Sequence, residues 1–275
     1  MSIDERIEQL DLSLFGHISA QTTGDDQRSL MAVQTVIRRN FPGFIYLEIG
    51  SHSGSSLQTF VVDPKCARII SIDPRSGATP DCRGTINYKP GSVESMLELL
   101  KQIPGGDVSK IKTFETTSAS LTRERIGVRP QLCFIDGQHT DEAVVCDARF
   151  CLSALAENGI ILFHDANIIY GGLQAFLAEL KANGRVFRAA VVPGSIFLIE
   201  FGSLGLCEME PLRGQVRESF KAYLYGMQEN DLYREAYPLS IARVAKMAHD
   251  IYKASLYRAL RKVKRLFFKP KLSKT

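Results

Sequence analysis

Two short apolar runs, each ending in acids and histidines, restrict this chain more than anything else in it. They are Leu132-Cys-Phe-Ile-Asp136-Gly-Gln-His139 and, after a helical stretch, Ile160-Ile-Leu-Phe-His164-Asp165-Ala-Asn167. Runs of Ile, Leu and Phe without polar alternation read as parallel strands buried on both faces. In an open α/β sheet, ligands bind in the crevice beyond the carboxyl ends of such strands. Asp136, His139, His164 and Asp165 are therefore expected to meet in one site.

The remaining pattern completes a sheet. Thr22-Thr-Gly-Asp-Asp offers an N-cap to a helix over 27–40, and Pro42-Gly43 stops it. A strand over 44–50 turns through Ser51-His-Ser-Gly54-Ser-Ser into a helix reaching Val62, and a second strand over 67–73 is closed by Pro74. Residues 75–91 read as loop, 93–102 as helix and 110–115 as a third strand. The fourth and fifth strands are the two apolar runs, separated by a helix over 141–156 that Thr140 caps. A helix over 172–182 leads to strands at 186–192 and 195–201, and the short Pro193-Gly194 connection makes that pair antiparallel. The chain thus divides into an N-terminal helical or lid segment (1–24), an α/β domain (25–202) and a helical C-terminal extension (203–275), whose last helix runs from about Pro238 to Phe268.

At 275 residues and 45% hydrophobic content, the chain can bury one sizeable core. Its apolar runs are far too short to span a bilayer and its first residues are acidic and polar, so a cytoplasmic protein is expected. Six cysteines without a CxxC pair read as reduced packing residues. The net charge of +4 is unevenly placed: no acid follows Asp250, while lysines and arginines accumulate from Lys253 to Lys274. Such a tail reads as a packing or dimerisation helix of a homo-oligomer, or as a peripheral membrane contact through residues 253–275. No nucleic-acid recognition module accompanies the charge.

The chemistry concentrates at strand tips. In Glu48-Ile-Gly50-Ser51-His-Ser-Gly54, glycines four apart at a strand-to-helix turn let backbone approach a ligand. Asp73, at the tip of the second strand, can accept hydrogen bonds from both hydroxyls of a ribose. These residues resemble the E/D-x-G-x-x-x-G motif and the ribose acid of the class I S-adenosylmethionine-dependent methyltransferases. Phe134-Ile-Asp-Gly-Gln-His139, a helix carrying Asp147, and Gly159-Ile-Ile-Leu-Phe-His-Asp165 resemble the branch of small O-methyltransferases that includes macrocin-type sugar enzymes. The resemblance covers about residues 25–202.

That resemblance implies a Rossmann-like, seven-stranded, mostly parallel sheet in the order 3-2-1-4-5-7-6 with helices on both faces. It also implies S-adenosylmethionine as donor, bound by Glu48, Gly50, Ser51, Gly54, Asp73, Ser118 and Asp136, with Thr117-Ser118 near adenine. The acceptor is a hydroxyl of a small molecule or glycan, and His139 is the general base, a role that imidazole suits near neutral pH. A divalent cation, Mg or Mn, is expected on Asp136 and Asp165, because paired carboxylates supply the oxygen ligands such ions take. His164 stands where macrocin-type members carry an acid, and Asn167 lies one residue beyond the asparagine of catechol-type members. The third ligand is therefore open, as is catalysis without metal. Two rival readings are a nicotinamide-dependent oxidoreductase, disfavoured by the missing third glycine, and a non-catalytic protein that docks through its basic tail.

Overall fold

Each strand tip is placed by a sheet whose two faces are buried by alternate residues of the same strand. In the computed structural model, which describes residues 1–82, 84–87 and 91–236, seven strands form this sheet. They are β1 (Phe44–Ile49), β2 (Cys66–Ile72), β5 (Ile111–Phe114), β6 (Leu132–Ile135), β7 (Gly159–Phe163), β8 (Arg188–Val191) and β9 (Phe197–Phe201). The order across the sheet is β5-β2-β1-β6-β7-β9-β8. β9 runs antiparallel to both its neighbours, and the other pairs are parallel. Counted without the two strands of a separate hairpin, this is the expected order 3-2-1-4-5-7-6. The order in which strands join the sheet reverses between β1 and β6, which makes their carboxyl ends the switch point where a ligand crevice opens.

Alternation along the strands separates two apolar layers. Tyr46, Phe134, Leu162 and Leu198 face one way, against α2 (Gly24–Asn40), α3 (Gln58–Val62) and α4 (Val93–Lys101). Leu47, Cys133, Ile135, Ile161 and Phe163 face the other, against α5 (Arg123–Ile126), α6 (Asp141–Ala154) and α7 (Tyr170–Ala182). Both faces are covered, which is why the strands read as continuous apolar runs rather than as alternating ones.

Three segments depart from the sequence reading. Residues 75–91, expected to be loop, contain the antiparallel hairpin of β3 (Ala78–Asp81) and β4 (Gly84–Asn87). Their composition, Ala-Thr-Pro-Asp and Gly-Thr-Ile-Asn, lacks the β-branched and aromatic run that marks a strand. At the N-terminus, Ile7, Leu14, Phe15 and Ile18 are buried in the layer beneath α2, after the helix α1 (Ile3–Glu8). Buried Arg38 binds Asp4, Glu8 and Asp63, while the Gln58 side chain accepts the amides of His17 at 3.0 Å and Ile18 at 2.8 Å. Most of this segment is wall rather than lid; only Gln21 and Thr22 of it reach the cavity described below.

At the other end the chain forms two compact units, Met1–Met227 and Gln228–Thr275, so the first continues past residue 202. The reason is Glu200, a buried carboxylate that accepts the amides of Leu206 and Cys207, and a backbone exchange between Val191 and Arg217 at 2.8 and 3.0 Å. The last described helix is α8 (Phe220–Ala236). The expected helix from Pro238 to Phe268 and the basic tail at 253–275 lie outside the described residues. No described helix is long and apolar enough to cross a membrane.

Candidate active site

The tips of β1, β2, β6 and β7 open into a cavity of about 690 Å³, a size that admits a cofactor together with a small substrate. Gly50, Ser51, Asp73, Ser118, Asp136, His139, His164 and Asp165 all line it. Three of the lining residues hold left-handed backbone although none is glycine: His52 at φ 40°, Arg75 at φ 54° and Asp165 at φ 51°. Such conformations persist only where surrounding structure enforces them, and they cluster at functional sites.

One end of the cavity is built by the β1 turn. Gly50 has φ +95°, and a Cβ there would lie 2.0 Å from the carbonyl oxygen of Asp136, so only glycine lets the β1 and β6 tips pass this closely. Asp73 accepts the backbone N–H of His52 and of Arg75, each at 2.6 Å. Both oxygens are thereby oriented and still keep lone pairs for hydroxyl donors. The Ser51 hydroxyl donates to that of Ser71 at 2.8 Å beneath the turn. On the opposite wall the Ser118 hydroxyl donates to Asp147, whose carboxyl burial pushes up to about 6 against that hydrogen bond.

Two residues expected at the donor site are not on the cavity wall among the described lining residues. Glu48 lies beneath the turn, fully buried, and accepts the hydroxyls of Tyr46 and Ser56. Burial pushes its carboxyl up to about 8, with Asp136 and Asp73 adding to the shift and the two hydroxyls opposing it. Gly54, at φ +81°, packs its α-carbon against Met96 and Leu100 of α4, with no room for a Cβ. Its glycine serves the packing of the turn on a helix.

The other end holds the acids and histidines. Ligand atoms of Asp136, His139 and Asp165 all lie within 4.8 Å of one another. His139 Nε2 stands 3.5 Å from Asp165 and 3.8 Å from Asp136, buried and without a hydrogen-bond partner. His164, a candidate third ligand, also faces the pair. Its Nδ1 meets Asp136 at 2.9 Å and Asp165 at 3.4 Å, while its Nε2 faces Asp26 at 3.6 Å. The cluster that converges therefore contains His139, and His164 braces Asp136 from the α2 side. Asn167 is not among the described lining residues.

Electrostatics follow from this crowding. Burial alone would strip the proton from His139, but Asp136, Asp165 and Asp81 outweigh it and raise the pKa. The same competition raises His164 strongly, through Asp136, Asp165 and Asp26. Burial raises Asp136 as well, yet the two histidines hold it below the usual carboxylate range.

Sequence reasoning missed Asp26, Ser195 and Asp81. Asp26 is the third residue of a capping box with Thr23, so a local role hid its second one. Its carboxylate also accepts the Ser195 amide at 2.7 Å, and the Ser195 hydroxyl lies 3.4 Å from Asp165. Burial pushes Asp26 up, but His164, Thr23 and Ser195 hold it well below its ordinary value. No spacing along the chain signals a contact between residues 26, 164 and 195.

Residues 47–166 match the family model described as a methyltransferase domain. No curated protein matches the chain. Among solved structures, the chain is similar to the O-methyltransferase TomG from Streptomyces achromogenes, involved in tomaymycin synthesis and solved with SAM, at 13% identity over 74% of this chain and 91% of that one (TM-score 0.49). An O-methyltransferase from Bacillus cereus, solved with SAH, is similar at 12% identity over 74% and 91% (TM-score 0.46). The MycE methyltransferase of mycinamycin biosynthesis, solved with Mg, SAH and mycinamycin VI, is similar at 14% identity over 71% and 53% (TM-score 0.47). The matched stretch, Leu47 to Ala166, contributes every parallel strand tip at the cavity.

Proposed function

We propose that the chain moves a methyl group from S-adenosylmethionine to a hydroxyl oxygen of a small molecule or glycan. The observation that carries this reading is the joining, in one cavity, of an oriented ribose-type acid at Asp73 with the Asp136–His139–Asp165 cluster. Gly50, Ser51 and Asp73 would hold the methionine and ribose parts of the donor, and Ser118 the adenine. The acceptor would enter from the side bounded by Gln21, Thr22 and Thr79.

His139 is the general base of this scheme. Its buried Nε2 has no hydrogen-bond partner and faces the space between the two carboxylates, so it can take a hydroxyl proton there. The donor set of two carboxylates with an orphaned imidazole nitrogen also fits a divalent cation, with Asp136 and Asp165 as its oxygen ligands. When bound, such a cation lowers the pKa of an acceptor hydroxyl and offsets the negative field that raises the His139 pKa. A second reading, His139 as third ligand rather than base, is favoured by the convergence of all three ligand atoms within 4.8 Å. His164 would then be what keeps Asp136 in place.

The test is transfer of labelled methyl from S-adenosylmethionine across a panel of hydroxylated acceptors, with Mg²⁺, Mn²⁺ or chelator. His139→Ala should lower turnover by about 10²–10⁴-fold and leave S-adenosylhomocysteine affinity nearly unchanged. If the variant also loses Mn²⁺ affinity, the ligand reading replaces the base; if turnover is unchanged, His139 has neither role.

A further inference from the structure

The β3–β4 hairpin, which no sequence signal announced, ends against His139. Asp81 forms a parallel backbone bridge to His139, and the Cys82 amide donates to the His139 carbonyl at 2.8 Å. The same contact brings a side chain: the Asp81 carboxylate, 5% exposed, lies 3.6 Å from His139 Nδ1. The imidazole is thus approached from both ends, by Asp81 at Nδ1 and by Asp136 and Asp165 at Nε2.

We propose that Asp81 is a positioning residue, which holds the His139 ring through Nδ1–H and so aims Nε2 at the Asp136–Asp165 pair. This rests on the functional reading above, in which His139 Nε2 does the work, whether as base or as ligand. A histidine in either role needs its other nitrogen anchored, because that bond fixes both the tautomer and the ring's orientation. At 3.6 Å the pair is a charge contact, and an approach of about 0.7 Å closes it to a hydrogen bond; catalytic bonds commonly tighten this way when a site fills. Two backbone contacts set the hairpin against His139, so hairpin seating and ring orientation are one event. The hairpin also carries Thr79 into the cavity wall, which puts acceptor contact and ring orientation on a single element.

The test reads the ring itself. The 275-residue chain has five histidines, so ¹⁵N-histidine labelling with a His139→Gln control identifies the two ring nitrogens by long-range proton–nitrogen correlation. At one alkaline pH, wild type should show Nδ1 protonated. In Asp81→Ala, and in Asp81→Leu as a second variant of similar shape without an acceptor, the proton should move to Nε2, drawn by Asp136 and Asp165. Affinity for S-adenosylhomocysteine should stay within about threefold, that is within ~0.7 kcal/mol. A wild type already protonated at Nε2, where Asp165 stands at 3.5 Å, or unchanged His139 nitrogens in both variants, would overturn the proposal while leaving the methyltransferase reading intact. Shifted nitrogens in a protein that binds no S-adenosylhomocysteine would uphold the pairing and sink that reading instead.

Discussion

At the scale of single residues, the account turns on carboxylates with different surroundings. Asp73 is oriented by two backbone amides and open to the cavity. Asp73→Ala removes charge-assisted hydrogen bonds worth about 1.5–3 kcal/mol, so S-adenosylhomocysteine affinity should fall roughly 10- to 100-fold by calorimetry, and the melting temperature should fall as well because the His52 and Arg75 amides lose their acceptor. Glu48 is closed off, and its carboxyl is pushed up to about 8. A folded-state pKa raised above the unfolded value means the fold favours the neutral acid. The associated stability is complete below the unfolded value near 4.5 and is lost as pH rises through about 8. Glu48→Gln, which stays neutral, should therefore gain on wild type from pH 5 to pH 9, by an amount on the order of a few kcal/mol. Parallel stability curves in denaturant over that range would show that Glu48 ionises without cost.

At the scale of elements, the turns carry the constraint. The β1 turn fits because Gly50 adopts φ +95° and leaves no room for a Cβ beside the Asp136 carbonyl. Gly50→Ala should cost upwards of about 3 kcal/mol, combining left-handed strain with a backbone clash, read as a lower denaturant midpoint; a midpoint within error of wild type would mean the two strand tips can part freely. The parallel strands were legible because burial on both faces writes an uninterrupted apolar run, and the helices because caps such as Thr23 and Thr140 mark where they start. The β3–β4 hairpin was not legible. Its residues are poor strand formers, held by their ladder and by docking on His139. The acids and histidines at the strand tips were legible as a group, since chain position places them at one edge. How the two histidines share the Asp136–Asp165 pair was not, because that depends on Asp26 and Ser195, brought from distant parts of the chain to His164 and Asp165. Glu48 and Gly54 were found as a motif, but their work is beneath the turn: one under Tyr46 and Ser56, the other against α4.

At the scale of the molecule, one sheet with a switch point between β1 and β6 collects four parallel strand ends around one cavity. The β7–β9–β8 antiparallel edge lies on the other side of β6 from the donor turn, and its connection at Ser195 closes the acid cluster from behind. Residues outside the methyltransferase match also contribute, since Gln21 and Thr22 reach the cavity and Asp26 braces His164. The central claim is that this cavity binds the methyl donor. Its most direct test is calorimetric titration of the full chain with S-adenosylhomocysteine, without metal and with Mg²⁺ or Mn²⁺. The account predicts one site per chain with a dissociation constant in the micromolar range, about −8 kcal/mol, that Asp73→Ala weakens. No heat of binding up to millimolar ligand under any of these conditions would contradict it.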